Sequence, residues 1–190
     1  MKHFLILSCM AGMLIFQSTF FANAENRMKI EIREHWKFQQ ENSGHWYPTE
    51  VPGCVHTDLV RNKLIPDPFV GTNEQSLQWI GEKNWIYETT FDVPAEILTK
   101  EVVELVFEGL DTYAEVVLND SLVLKANNMF RTWRFDCRSI LQEQGNHLVV
   151  RFKNVFDENM PKYKAAPFEL QAFPNNDQAD VKIAMYSRKA

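Results

Sequence analysis

Carboxylates and aromatic rings are the residues of this 190-residue chain that could do chemistry. Glu74, Glu104, Glu108 and Glu115 are scattered over several segments, whereas an acid and a base must converge within hydrogen-bond reach of one reacting group. Most sit on the polar side of an alternating run or in a turn, where solvation accounts for them, so no catalytic residue is assigned. His56 and Asp58 are two apart, not the three or four that would put two ligands on one face of a helical turn. They read as capping or core-edge residues. His35, His45 and His147 do not cluster with cysteines at ligand spacing, and the seven glycines form no phosphate-cradling loop. Neither a metal nor a cofactor is expected.

The aromatic residues are the better lead. A sugar presents CH-rich faces that stack on Trp or Tyr, and hydroxyls that need Asn, Asp, Glu or Arg beside the ring. Trp79 lies in the loop-like stretch 67–82 with Asn73 and Glu74 close in sequence, and these three residues are the candidate carbohydrate contacts. Trp36, Trp85 and Trp133 fall in or near strand-like runs and are expected in the core. Asn128 and Arg131 are read as fixing a loop through bonds to the backbone.

The elements that must position these residues are mostly strands. From Trp85 the pattern alternates: Trp85, Tyr87, Thr89, Phe91 and Val93 share one face, and Ile86, Glu88, Thr90 and Asp92 the other. Residues 102–108 follow with Val103, Leu105 and Phe107 inward, ending at the turn residues Gly109, Leu110 and Asp111. A hairpin joins 114–118 to 121–125 through Asn119 and Asp120, which tolerate the positive φ of a tight turn. Further strands are expected at 130–136 and, after a Gly145–Asn146 turn, at 147–156. Short strands at this spacing mean a sandwich or a barrel. Helical patterns are confined to 55–62 and to 156–165, the second interrupted by Pro161. Residues 166–180 read as loop, and 181–186 as the start of another strand.

The first residues differ in kind from the rest. Lys2 and His3 precede an apolar run from Phe4 to Phe21, and Ala22-Asn23-Ala24 supplies a small-residue cleavage site, the pattern of a signal peptide covering residues 1–24. The polar residues Ser8, Gln17, Ser18 and Thr19 within the run argue against a membrane anchor. The expected location is therefore exported, periplasmic or extracellular, with no membrane attachment after cleavage. Removing this segment leaves nineteen basic residues against twenty-five acidic ones, a net charge of −6. With no Lys/Arg run, that balance excludes a nucleic-acid partner. Cys54 and Cys137 remain in an oxidising compartment, where one disulfide is open to them, and two buried free thiols are the expectation.

Read in order, the motifs resemble the opening of β-mannosidases of glycoside hydrolase family two. They comprise Trp46-Tyr47-Pro48, the run Val51-Pro52-Gly53-Cys54-Val55-His56-Thr57-Asp58-Leu59, Leu64-Ile65-Pro66-Asp67-Pro68-Phe69, Asn73-Glu74, Trp79-Ile80 and Trp85-Ile86-Tyr87. Phe107-Glu108-Gly109-Leu110-Asp111-Thr112, Ala114, Asn119 and Asn128-Met129-Phe130-Arg131 continue the match, which spans the chain from Trp36 to Ala190. The resemblance implies an all-β fold, a jelly-roll-like, galactose-binding-like β-sandwich with one or two short helices, over residues 25–190. It also implies that a closing strand, a Trp-Asp-Trp-Gly motif and a barrel with both catalytic glutamates lie beyond Ala190. A retaining glycosidase uses two carboxyl groups about 5 Å apart.

On this reading the chain is the non-catalytic N-terminal module of an exported exo-β-mannosidase, with a β-mannoside and a downstream barrel as its partners. Two rivals stand beside it: a free-standing carbohydrate-binding module, and a truncated product without a function of its own. The second would fold poorly, because a sandwich lacking a strand exposes an unpaired edge.

Overall fold

The computed structural model describes residues 28–167. The signal peptide, the strand expected at 181–186, nearly all of the loop at 166–180 and the segment Ser187–Ala190 lie outside the described residues. Among the described residues eight strands run in chain order: β1 Lys37–Gln40, β2 Tyr47–Pro48, β3 Trp85–Phe91, β4 Glu104–Phe107, β5 Ala114–Leu118, β6 Ser121–Ala126, β7 Trp133–Asp136 and β8 Asn146–Phe152. They form an antiparallel six-stranded sheet in the order β2-β1-β3-β8-β5-β6 and a two-stranded layer, β4-β7. The described residues are all-β apart from short helices: α1 Val55–Arg61, α2 Asn73–Ser76, a 3-10 helix at Gln78–Glu82, α3 Ala95–Leu98 and α4 Val155–Ala165.

The alternation of β3 does what the pattern requires. Trp85, Tyr87 and Thr89 are buried, and the register puts Tyr87 opposite Phe38 on one side and Val150 on the other. Phe38 is the centre of an aromatic cluster, with ring centroids 5.6 Å from Tyr87, 6.1 Å from Trp85 and 6.0 Å from Tyr47. Val116, Leu118, Leu148 and Val150 extend this core across β5 and β8, and Leu105 and Trp133 belong to it from the second layer. The opposite face of the large sheet carries ion pairs: Lys37 to Glu88 at 2.9 Å and Glu115 to Lys125 at 3.1 Å are in register, and Lys153, just past β8, also reaches Glu115 at 3.0 Å. Trp36, Trp85 and Trp133 are all core residues, and each indole N–H donates to a carbonyl, of Ile32, Ile80 and Asn128 respectively. A buried indole N–H without an acceptor would carry a desolvation penalty.

The hairpin forms as the turn residues dictate. Asn119 and Asp120 have φ of 46° and 63° and place Leu118 opposite Ser121. Elsewhere the structure departs from the local pattern for identifiable reasons. The stretch 67–82 is not loop throughout, because α2 and the 3-10 helix turn Leu77 and Ile80 into the core. The strand expected from residue 130 begins at Trp133, and Phe130 is exposed. Asn146 is not a turn residue but the fully buried first residue of β8. Helix α4 runs through Pro161. Cys54 is exposed and Cys137 buried, both as free thiols, so only one of the two expected buried thiols is buried. Cys54 precedes α1, where its backbone N–H meets Thr57 Oγ1, and this position keeps it at the surface.

Asp58 is the largest surprise among the helical residues. It has no accessible surface, and its carboxylate accepts from Tyr87 Oη and Arg61 Nη1, each at 2.9 Å. Burial together with the Asp58 carboxylate pushes the Tyr87 phenol far above its ordinary range. The pair bolts α1 to the middle of the large sheet. Gly53, just before the helix, passes so close to Glu50 that a Cβ there would stand 2.6 Å from the Glu50 carbonyl oxygen.

Candidate functional site

The candidate site is the end of the sandwich at which β3 begins. The register places Gln40, Trp85, Phe152, Ala114 and Ala126 side by side there. The loops 41–46, 108–113 and 127–132 therefore leave the strands at this end, as does the stretch 66–84 that delivers the chain to β3. Asn84 ties the strand ends together: its Nδ2 donates to Glu41, and its Oδ1 accepts from the backbone N–H of Asn154, at 2.8 Å each.

Within the stretch, short-range bonds set the backbone. The Asp67 carboxylate accepts from the Phe69 N–H at 2.9 Å, Asn73 Nδ2 donates to the Asp67 carbonyl at 2.8 Å, and Ser76 Oγ donates to the Asn73 carbonyl at 2.8 Å. The three candidate contacts thus occupy one compact α2/3-10 segment. Asn73 spends an amide N–H on the loop and keeps its carbonyl oxygen. Glu74 is exposed, and its backbone carbonyl accepts from Gln78 Nε2. Trp79 is half-buried, its ring 6.2 Å from that of Trp85 and tilted by 41°, so part of its surface belongs to the core. Nearby apolar groups remain in the open, with Phe69 96% and Phe130 75% exposed. Asn128 Oδ1 accepts from the Phe130 N–H at 2.9 Å, the loop-fixing bond expected of it, and Arg131 stacks on Trp133 at 4.5 Å.

Helix α4 underlies the same end and packs on the 3-10 helix. Tyr113 Oη donates to Asn159 Oδ1 at 2.6 Å and accepts from Lys162 Nζ at 2.8 Å. Asn159 is wholly buried, and its Nδ2 has no partner among the described residues. No pattern in the sequence singled out Asn159, because a polar residue in a weakly amphipathic helix carries no burial signal.

The other chemistry-bearing residues are occupied elsewhere. Glu104 pairs with Arg134 at 2.9 Å, and Lys153 and Lys125 hold the Glu115 carboxyl below the usual carboxylate range. The Asp58 carboxylate is spent on Tyr87 and Arg61, and burial pulls the His56 imidazole below its ordinary value. Among the described residues no three His, Cys, Asp or Glu are grouped to hold a metal, and no helix is long and apolar enough to cross a membrane.

This arrangement has known counterparts. Residues 36–190 match the model of the glycosyl hydrolase 2 galactose-binding domain-like family. β-Mannosidase B of Thermothelomyces thermophilus is 39% identical over 133 residues, which are 68% of this chain and 15% of that protein. The β-mannosidase of Bos taurus is 37% identical over 127 residues, 67% of this chain and 14% of that protein. Among solved structures, the β-D-mannosidase of Dictyoglomus thermophilum superposes with a TM-score of 0.75 at 36% identity, covering 80% of this chain and 19% of that one. The chain thus spans about 15% of the length of the curated relatives it matches. It belongs to the galactose-binding-like domain family of glycosyl hydrolase 2.

Proposed function

We propose that this chain is the non-catalytic N-terminal module of an exported, exo-acting β-mannosidase, where it walls the sugar subsite and braces the catalytic barrel. The observation that carries this reading is the identity of 36–39% to β-mannosidases, confined to less than a fifth of their length. Asn73, Glu74 and Trp79 are the proposed sugar contacts: a free amide carbonyl and an exposed carboxylate to meet hydroxyls, beside the accessible part of an indole. In the intact enzyme one carboxylate would form the glycosyl-enzyme intermediate and another would protonate the leaving oxygen; both are proposed to lie in the barrel. Residues 1–24 are proposed to direct export, with cleavage after Ala24.

The partial burial of Trp79 favours a wall over a free-standing sugar-binding platform, because a ring backed by Trp85 offers a ligand less surface on its own. The test is calorimetry of residues 25–190 with mannose and mannobiose, alongside hydrolysis of p-nitrophenyl β-mannoside. Neither heat nor turnover is expected from the module alone. Saturable mannoside binding would replace the proposal with the free-standing module, and hydrolysis would overturn it outright. Amino-terminal sequencing of the secreted product is expected to begin at Glu25, and a product beginning at Met1 would remove the export step.

A further inference from the structure

We infer that Phe69, with its neighbour Val70, and Phe130 are apolar anchors that seat this domain on the body of the hydrolase, a deepening of the proposed module role that rests on it. Two observations converge. The first is exposure: Phe69 at 96% and Phe130 at 75% are far more open than a large aromatic side chain without a partner would be expected to remain. Nothing local requires it. The Phe69 and Phe130 backbone N–H groups are each fixed by a side chain two residues earlier, Asp67 and Asn128, so each ring is held outward by a built turn.

The second observation is that the two loops share one end of the sandwich. Strand β8 ends at Phe152 on the same end of the sandwich as both loops, and α4 packs there on the 3-10 helix. The occupant follows from the relatives, in which more than four-fifths of the polypeptide lies outside the matched segment. It is an apolar, concave face of that larger body, able to take two aromatic side chains. Aromatic anchors in pockets are what dominate such interfaces.

The experiment uses a chimera in which residues 28–190 replace the matching segment of the Dictyoglomus thermophilum β-mannosidase. Hydroxyl-radical footprinting of the chimera reads Phe69 and Phe130 against Leu122, an exposed residue of β6 near the opposite end, each corrected for intrinsic reactivity. Docking is expected to lower oxidation of both phenylalanines at least about threefold below that of Leu122. The double variant F69S/F130S is expected to split the thermal transition into two, while L122S leaves it single. An active chimera with both phenylalanines oxidised faster than Leu122 would overturn the anchors and leave the module role standing. A chimera that is inactive and melts in two unlinked steps would remove both.

Discussion

Two fully buried asparagines mark the two ends of this sandwich, and they are treated oppositely. At the end where β3 finishes, Asn146 uses its whole amide: Oδ1 accepts from Asn119 Nδ2 and the Gln142 N–H, and Nδ2 donates to the carbonyls of Phe91 and Gln142. Asn119 in turn bonds Ile140 and the His147 N–H, and Gly145, at φ 68°, donates its N–H to Asp92. At the other end Asn159 has an N–H without a partner among the described residues, and phenylalanines stand in the open. A closed end satisfies its own polar groups and can face water. An open end carries exposed apolar surface, which is the signature of a surface built to be covered.

The comparison can be broken by substitution, with the domain held in the chimera and unfolding followed by urea titration. The largest effect is expected for Asn146→Ala, which strands several buried backbone groups and should cost about 3 kcal/mol. A loss below about 1 kcal/mol would mean that the closed end does not depend on this amide. Asn159→Ala is expected to cost less, about 1 kcal/mol, because it removes one acceptor and an N–H without a partner among the described residues. Equal losses at the two asparagines would erase the distinction between the ends.

The ionic face predicts a pH dependence of its own. Glu115 is held below its ordinary value chiefly by hydrogen bonds from Lys153 and Lys125. Its contribution is therefore complete above the unfolded carboxylate pKa and is lost as pH falls through the lower folded value. Lys153, raised by Glu115, loses its share as pH rises through a folded value above 10.5. Glu115→Gln should flatten the acid limb of the stability curve, and an unchanged limb would assign the loss to other carboxylates. The smallest effect is expected at the hairpin, where Asp120 sits at φ 63°. Asp120→Gly should stabilise by about 0.5 kcal/mol, and a loss there would mean that the aspartate side chain holds the turn.

Much of the fold was legible because strands announce themselves by alternation. The inward set of β3, the 114–118 to 121–125 hairpin and the core positions of Trp36, Trp85 and Trp133 all followed from period and turn chemistry. Strands β1 and β2 were not legible, since four and two residues are too few to show a period. Neither were Asp58 and Asn146, whose burial depends on partners 29 and up to 55 residues away in sequence. The candidate contacts Asn73, Glu74 and Trp79 read as loop residues in the sequence, yet α2 and the 3-10 helix give that segment structure, and Trp79 is shared with the core. The exposure of Phe69 and Phe130 could not be read from hydrophobicity, which by itself argues for the interior.

Turnover of p-nitrophenyl β-mannoside by the chimera, set beside the isolated chain, tests the central claim most directly. The account predicts hydrolysis by the chimera and none by residues 25–190 alone. Hydrolysis by the isolated chain, or a folded chimera without activity, would contradict it.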